Sequence, residues 1–274
     1  MATADLHLHT TFSDGRFTPS ELVDAAALAG LKAIAVTDHD HTGGLVEARE
    51  RAARYRLEVL TGVEINTVWQ DRELHVLGYC FDESLDWWNS LMVDQREARE
   101  RRMERFVARL QENGLPVTME DVRLQAGEGA LGRPHLAQAL IAKGLVSTEQ
   151  QAFDRWLSSG TAGYVPREGL SPAEAIRAIR KAGGVASIAH PRSAPLEGGN
   201  LIGELVEVGL GALEVVHPSH PPVLRDYYRS MAEHYGLLWT GGTDDHGPKG
   251  GRPARIGSDS VPYSVVEALK ARAG

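Results

Sequence analysis

Apolar runs of strand length alternate along the chain with segments whose apolar residues recur at helical spacing. This is the signature of successive βα units and a mainly parallel sheet. The pattern predicts strands ending near Leu8, Thr37, Ile65, Leu77, Ile188, Val216 and Gly241. Helices are predicted over Pro19–Leu28, Leu45–Tyr55, Pro172–Ala182, Ile202–Glu207 and Val223–Tyr235. Two helix starts carry a capping box with proline at the first helical position: TPSE, from Thr18 to Glu21, and SPAE, from Ser171 to Glu174. In each, a hydroxyl and a carboxylate satisfy backbone N–H groups that have no partner within the helix. Seven strands in one chain predict a closed α/β barrel rather than an open sheet.

The alternation stops between Asp86 and Gly163. There the pattern is helical throughout: WWNSLMVDQREARERRMERFVARLQENG, MEDVRLQAGEG, RPHLAQALIAKG and TEQQAFDRWLSSG. Met103, Phe106, Val107 and Leu110 share one helical face, and Gly114, Gly144 and Gly160 stand where helices should end. The expectation is an all-helical insertion, residues 86–163, within a barrel formed by residues 1–85 and 164–274. The arginines of REARERRMERFVARL alternate with glutamates at helical spacing, as in Glu97 with Arg101, and most are read as a solvated face.

Composition narrows the class. The 274 residues are 42% apolar and 24% charged, which argues against disorder and fibrous architectures. A net charge of −8 disfavours long duplex nucleic acid and anionic membranes as partners, so an anionic ligand requires a local cationic site. Cys80 is the only cysteine, which excludes an intrachain disulfide and a cysteine-rich zinc site. No uncharged apolar run reaches the ~18 residues that cross a bilayer. The start MATADLHLHT has neither a basic nor an apolar signal region. A soluble, reduced, cytoplasmic protein is expected.

The histidines carry the chemical information. His7, His9 and Asp14 follow the first strand in DLHLHTTFSDG, and Asp38 and His39 follow the second in VTDHDH. Glu64 ends the third in TGVEI, and His75 lies in ELHVLGY. His190 lies in SIAHP, His217 and His220 in EVVHPSH, and Asp244 and His246 in GGTDDHG. In parallel barrels the C-terminal strand ends form one face, so these scattered residues converge there. His7 and His9 point to the same face of their strand, since side chains alternate with period two. Buried carboxylates without partners cost several kcal/mol, and metal ions would neutralise and satisfy them together. The expectation is a polynuclear metal centre.

The series DLHLHTTFSDG, TDHD, GVE, HVLGY, AHP and GTDDH resembles the polymerase and histidinol phosphatase (PHP) family of phosphoesterases, in order and over essentially the whole chain. The resemblance implies a distorted seven-stranded, TIM-like βα barrel with three divalent metals. It places one metal on His7, His9, Glu64 and Asp244. A second shares Glu64 and takes His75 and His190, and a third takes Asp14, His39 and His246. The family's Asp–X–His spacing selects Asp244 over Asp245. Imidazole and carboxylate ligands without thiolate suit manganese, iron or zinc. A hydroxide bridging two metals, held through Glu64, would attack phosphorus in line.

Groups outside that shell would select the substrate. Arg133 and His135 in GRPH, Arg167 in GYVPRE and Arg192 in AHPR flank the insertion or a strand end, and arginine's planar fork suits phosphate oxygens. The insertion with GRPH and YVPR resembles the subgroup that hydrolyses nucleoside 3′,5′-bisphosphates and trims short RNA from the 5′ end, which makes Arg133 and Arg167 candidate phosphate clamps. His217 is a candidate leaving-group acid. Asp40 and His41 are more distant candidates for supporting roles, and His234 reads as structural. The expected ligand is thus a phosphorylated small molecule, nucleotide or short RNA. Alternatives are a histidinol-phosphatase-like or general phosphomonoesterase, an amidohydrolase-type enzyme and a non-catalytic PHP module. No lysine occupies a strand end for the carbamylated site common in amidohydrolases, and complete ligands argue against decay.

Overall fold

The computed structural model describes residues 3–70, 72–127, 129–191, 200–248 and 251–274. Strands β1 (Thr3–Leu8), β2 (Ala33–Val36), β5 (Val185–Ile188) and β6 (Ala212–Val216) are buried along nearly all their length. Strands covered on both faces are commonly near-continuous apolar runs, which is how β2 and β5 read, while β1 and β6 bury Asp5, His7 and Glu214 within theirs. With β3 (Glu58–Trp69), β4 (Arg72–Tyr79), β7 (Leu238–Gly241) and β8 (Val261–Pro262) they form one sheet in the order β7–β6–β5–β4–β3–β2–β1–β8.

The sheet nearly closes. Leu8 bridges Asp245 in parallel, and the His9 N–H donates to the Asp245 carbonyl at 3.0 Å. Gly242 permits this approach, because a Cβ there would stand 2.4 Å from the His7 nitrogen. The described sheet has eight strands where seven were expected. The extra one, β8, has two residues and pairs antiparallel with Thr3 and Ala4, too short to leave a periodic signature.

Apart from the short β1–β8 pair, neighbouring strands run parallel except around β4, which is antiparallel to both β3 and β5. Residues 70–71 join β3 to β4, and a link that short makes a hairpin, never a crossover. Gln70 takes a φ of 48° in this turn. The reversal brings the start of β4, with His75, to the rim where the parallel strands end.

Helices α1 (Pro19–Leu28), α2 (Gly44–Ala52), α7 (Pro172–Lys181), α8 (Leu201–Glu207), α9 (Pro222–His234) and α10 (Tyr263–Arg272) pack on the sheet. Both expected capping boxes form. Thr18 accepts from the Glu21 N–H while Glu21 accepts from the Thr18 N–H. Ser171 and Glu174 repeat the exchange at α7.

Between β4 and α7 the chain forms α3 (Asp86–Glu112), α4 (Met119–Ala126), α5 (Arg133–Ala142) and α6 (Glu149–Ala152), which continues into a π-helical turn at Phe153–Leu157. Met103, Phe106, Val107 and Leu110 are buried against Val122, Leu136, Leu140 and Leu157 in a cluster of their own. Gly114 and Gly144 take φ of 82° and 69° just beyond α3 and α5, the left-handed conformation that ends helices. The outer face of α3 holds the expected Glu97–Arg101 pair, 3.4 Å apart and exposed. Arg99 and Arg102 depart from the solvated reading, since both are 6% exposed. Each stands four residues before a member of the apolar stripe, Arg99 before Met103 and Arg102 before Phe106, so the helix turns them inward with it.

Candidate metal centre

Nine side chains converge at one rim of the barrel. β1 delivers His7 and His9 there, both wholly buried, and β3 delivers Glu64. Glu64 Oε2 lies 3.1 Å from His7 Nε2 and 3.2 Å from both His9 Nε2 and His39 Nδ1. Glu64 Oε1 lies 2.7 Å from His75 Nδ1 and 3.0 Å from His190 Nε2. Asp244 Oδ1 lies 3.1 Å from His9 Nε2, and Asp14 Oδ1 lies 3.2 Å from His246 Nε2. Among the described residues, potential ligand atoms fall within 4.8 Å of one another in three groups: His7, His9, Glu64 and Asp244; His39, Glu64 and His75; and His9, Asp14, His39 and His246. Glu64 is common to two of them.

The donor set fits divalent ions. His9 Nε2 and Asp14 Oδ1 are buried inside the cluster with no hydrogen-bond partner. The outward nitrogen of two rings is already committed: His7 Nδ1 donates to Glu214 at 2.9 Å, and His246 Nδ1 donates to the Asp244 carbonyl at 2.9 Å. Each ring therefore turns its Nε2 toward the centre, as metal-binding histidines do. Burial by itself raises the carboxyls, yet the facing imidazoles hold Glu64, Asp14 and Asp244 well below the usual carboxylate range. Burial lowers His246, but Asp14 outweighs it and lifts the ring to about 10. At His39 burial prevails over Glu64 and Asp14 and pushes the ring down to about 3. Ionised carboxylates interleaved with imidazoles, whose ring protons a metal displaces, are the donor set that divalent cations take.

The sequence reading does not single out Glu214. It is fully buried on β6, and besides His7 it accepts from the His190 N–H at 2.6 Å. Its one signal is a carboxylate inside the apolar run ALEVV. Asp38 accepts from the Thr10 N–H, Thr10 Oγ1 and Ser13 Oγ at 2.6–2.7 Å, which shapes the loop carrying Asp14. Asp245 accepts from the Gly247 and Arg255 N–H groups, so Asp244 alone of the pair faces the cluster. His217 Nδ1 accepts from the Ser219 N–H at 3.1 Å, which leaves its Nε2 facing Asp244 Oδ2 at 3.4 Å. His220 Nδ1 donates to the Val215 carbonyl, a structural contact. The His41 ring accepts from the Gly43 N–H.

A cavity beside His39 and His75 is lined by Arg99, Arg102, Arg133 and Arg167, with Phe106 and Phe153. Arg99 donates to Asp40 at 2.6 Å and to the Leu131 carbonyl at 3.0 Å. Arg102 donates to the Val165 carbonyl and faces Glu73 at 2.7 Å. Arg133 donates to Glu73 at 2.7 Å. The nearest carboxylates to Arg167, Asp40 and Glu73, lie 3.9 Å away. Arg99 Nη2 and Arg167 Nε are buried without a hydrogen-bond partner. His135 is buried, and its Nδ1 accepts from the Gly132 N–H at the start of α5. Arg192 lies outside the described residues.

A βα barrel with a buried histidine–carboxylate cluster at one rim defines a metal-dependent hydrolase. The pattern of the PHP domain matches residues 5–84. A 5′-3′ exoribonuclease of Escherichia coli (strain K12) is 33% identical over 249 residues, spanning 89% of this chain and 85% of that protein. A 3′,5′-nucleoside bisphosphate phosphatase of Chromobacterium violaceum is 33% identical over 268 residues, spanning 96% and 94%. A solved structure from Bifidobacterium adolescentis, with the proposed activity of a metal-dependent phosphoesterase, matches with a TM-score of 0.89 at 35% identity, covering 99% of this chain and 96% of that one. The chain belongs to the PHP family. It is a metal-dependent hydrolase of phosphate esters, and among the described residues no helix is long and apolar enough to cross a membrane.

Proposed function

We propose that this enzyme cleaves nucleotides that carry a second phosphate, namely nucleoside 3′,5′-bisphosphates and the 5′ ends of short RNA, in the cytoplasm. The observation that supports this reading is the pair of buried guanidinium donors without partners, Arg99 Nη2 and Arg167 Nε, beside His39 and His75. A buried charged donor left unsatisfied costs stability, and an anion in the cavity relieves that cost. The cavity runs from Asp14, His39 and His75 of the centre to the arginines, so in this reading an anion at the arginine end is a second phosphate beside the one being cleaved. Phe153 supplies apolar surface for a nucleoside.

In this reading three divalent ions, manganese, iron or zinc, are held by His7, His9, Glu64 and Asp244, by Glu64, His75 and His190, and by Asp14, His39 and His246. Bound there, they supply Lewis acidity and lower the pKa of water. Glu214 keeps His7 in the tautomer that presents Nε2, and Asp40 and Asn66 set the approach of Arg99 and His39. Arg133 and Arg167 clamp the remote phosphate. Water attacks phosphorus, the bond to the leaving oxygen breaks, and His217 Nε2 protonates that oxygen. Residues 86–163 act as a cap that selects substrate over the barrel of residues 1–85 and 164–274, since α3 and α5 bring Arg99, Arg102 and Arg133 to the cavity.

The test is phosphate release by purified protein with added manganese. Substrates are a 3′,5′-bisphosphate, mononucleotides, histidinol phosphate and 5′-phosphorylated oligoribonucleotides, with the RNA products resolved by size. Preference for the bisphosphate or the RNA is expected. Equal kcat/KM on histidinol phosphate would replace this reading with a general phosphomonoesterase.

A further inference from the structure

Glu73 is placed where the proposed second phosphate would go. It stands two residues before His75 on β4, so both side chains leave the strand on the same face. Its Oε2 accepts from Arg133 at 2.7 Å, its Oε1 lies 2.7 Å from Arg102, and Arg167 is 3.9 Å away. The remaining carboxylate at these arginines, Asp40, differs in kind: it is fully buried and tied to the Asn66 N–H, Asn66 Nδ2 and Arg99. Glu73 has no such backbone anchor, and its side chain is 18% exposed at the cavity wall.

We propose that Glu73 is a specificity-determining residue, an internal anion that occupies the guanidinium cavity and yields Arg102 and Arg133 to the remote phosphate of the substrate. The proposal rests on the two-phosphate reading above. At the arginine end of the cavity four guanidiniums outnumber Asp40 and Glu73, Asp14 facing His39 and His246 at the other end, and this positive excess suits a terminal phosphate dianion better than a singly charged diester. A ligand enters by replacing the Arg133–Glu73 hydrogen bond and the Arg102–Glu73 ion pair, so an anion with several acceptor oxygens displaces the carboxylate with least loss. Neutral and weakly acidic compounds are thereby held out.

The experiment is steady-state kinetics of the metal-loaded enzyme on adenosine 3′,5′-bisphosphate and on p-nitrophenyl phosphate, for wild type, Glu73→Gln and Glu73→Asp. Arg133→Ala and Arg167→Ala are run beside them, and the rise in Tm on adding adenosine 3′,5′-bisphosphate is measured for each. Glu73→Gln removes the competing charge, so KM for the bisphosphate should fall about tenfold with kcat little changed. Its ligand-induced rise in Tm should exceed that of wild type. Glu73→Asp withdraws the carboxylate by one methylene and should fall between the two, which covers a Gln variant that folds poorly. Unchanged or raised bisphosphate KM in both variants, with the arginine variants still selectively impaired on that substrate, would make Glu73 an aligner of the clamp and overturn the proposal alone. Equal losses on both substrates in the arginine variants would remove the second-phosphate reading, and this proposal with it.

Discussion

Arg167→Met separates what the cavity costs the fold from what it gives the substrate. Arg167 is 8% exposed, with both carboxylates no nearer than 3.9 Å. Burial and the neighbouring Arg99 bring its guanidinium from 12.5 down to about 9. That depression corresponds to on the order of 5 kcal/mol in favour of losing the charge. Methionine keeps an unbranched apolar stem without the charge. Asp40 retains Arg99 at 2.6 Å, and Glu73 retains Arg102 and Arg133 at 2.7 Å each, so no carboxylate is stranded. Part of the relief is lost with the long-range attraction to both acids, and the expected net gain is about 1–3 kcal/mol. Each kcal/mol raises Tm by roughly 2–4 °C in a chain of this size. The same substitution removes a charge-assisted contact to a remote phosphate, about 1.5–3 kcal/mol, and lowers kcat/KM for a 3′,5′-bisphosphate ~10- to 100-fold. Arg167→Lys should recover only part of that loss, since a point charge cannot reproduce the planar fork. The assays are thermal unfolding without substrate and kcat/KM on the bisphosphate against p-nitrophenyl phosphate. A Tm several degrees lower, or matched losses on both substrates, would show that Arg167 serves the fold or the centre itself.

Asp14→Ala and His246→Ala should each abolish turnover and release about one metal per chain while leaving the far-ultraviolet circular dichroism intact; full metal content with full activity would refute their place in the centre. Glu64→Gln should do more damage than any single histidine change, because one carboxylate faces His7, His9, His39, His75 and His190 at 2.7–3.2 Å; wild-type metal content and rate would remove its shared role. Glu214→Gln should weaken metal binding roughly 10- to 100-fold by loosening the His7 ring. Titration with a competing chelator reads that change, and an unaltered dissociation constant would make Glu214 merely structural.

The two capping boxes and the shared face of His7 and His9 were legible in the sequence because each depends on local rules, whereas the set of nine candidate ligands was drawn from the resemblance to the PHP pattern, and β3 runs on to Trp69, past the expected end near Ile65. Thr18–Glu21 and Ser171–Glu174 satisfy helix starts within four residues, and His7 and His9 share a face through the period of one strand. The helical character of residues 86–163 was equally legible, since Met103, Phe106, Val107 and Leu110 fall on one stripe. Three things were decided only by the tertiary structure. The two-residue β8 is a partner for β1 with no periodicity of its own. Glu214 gains its role from His7, a residue on the other side of the barrel chain. Arg99 and Arg102 have the same surroundings in sequence as Arg101. Only the packing of α3 over the barrel rim turns two of these guanidiniums into a buried cavity and leaves the third in water, because a charge takes its meaning from the dielectric and the partners around it.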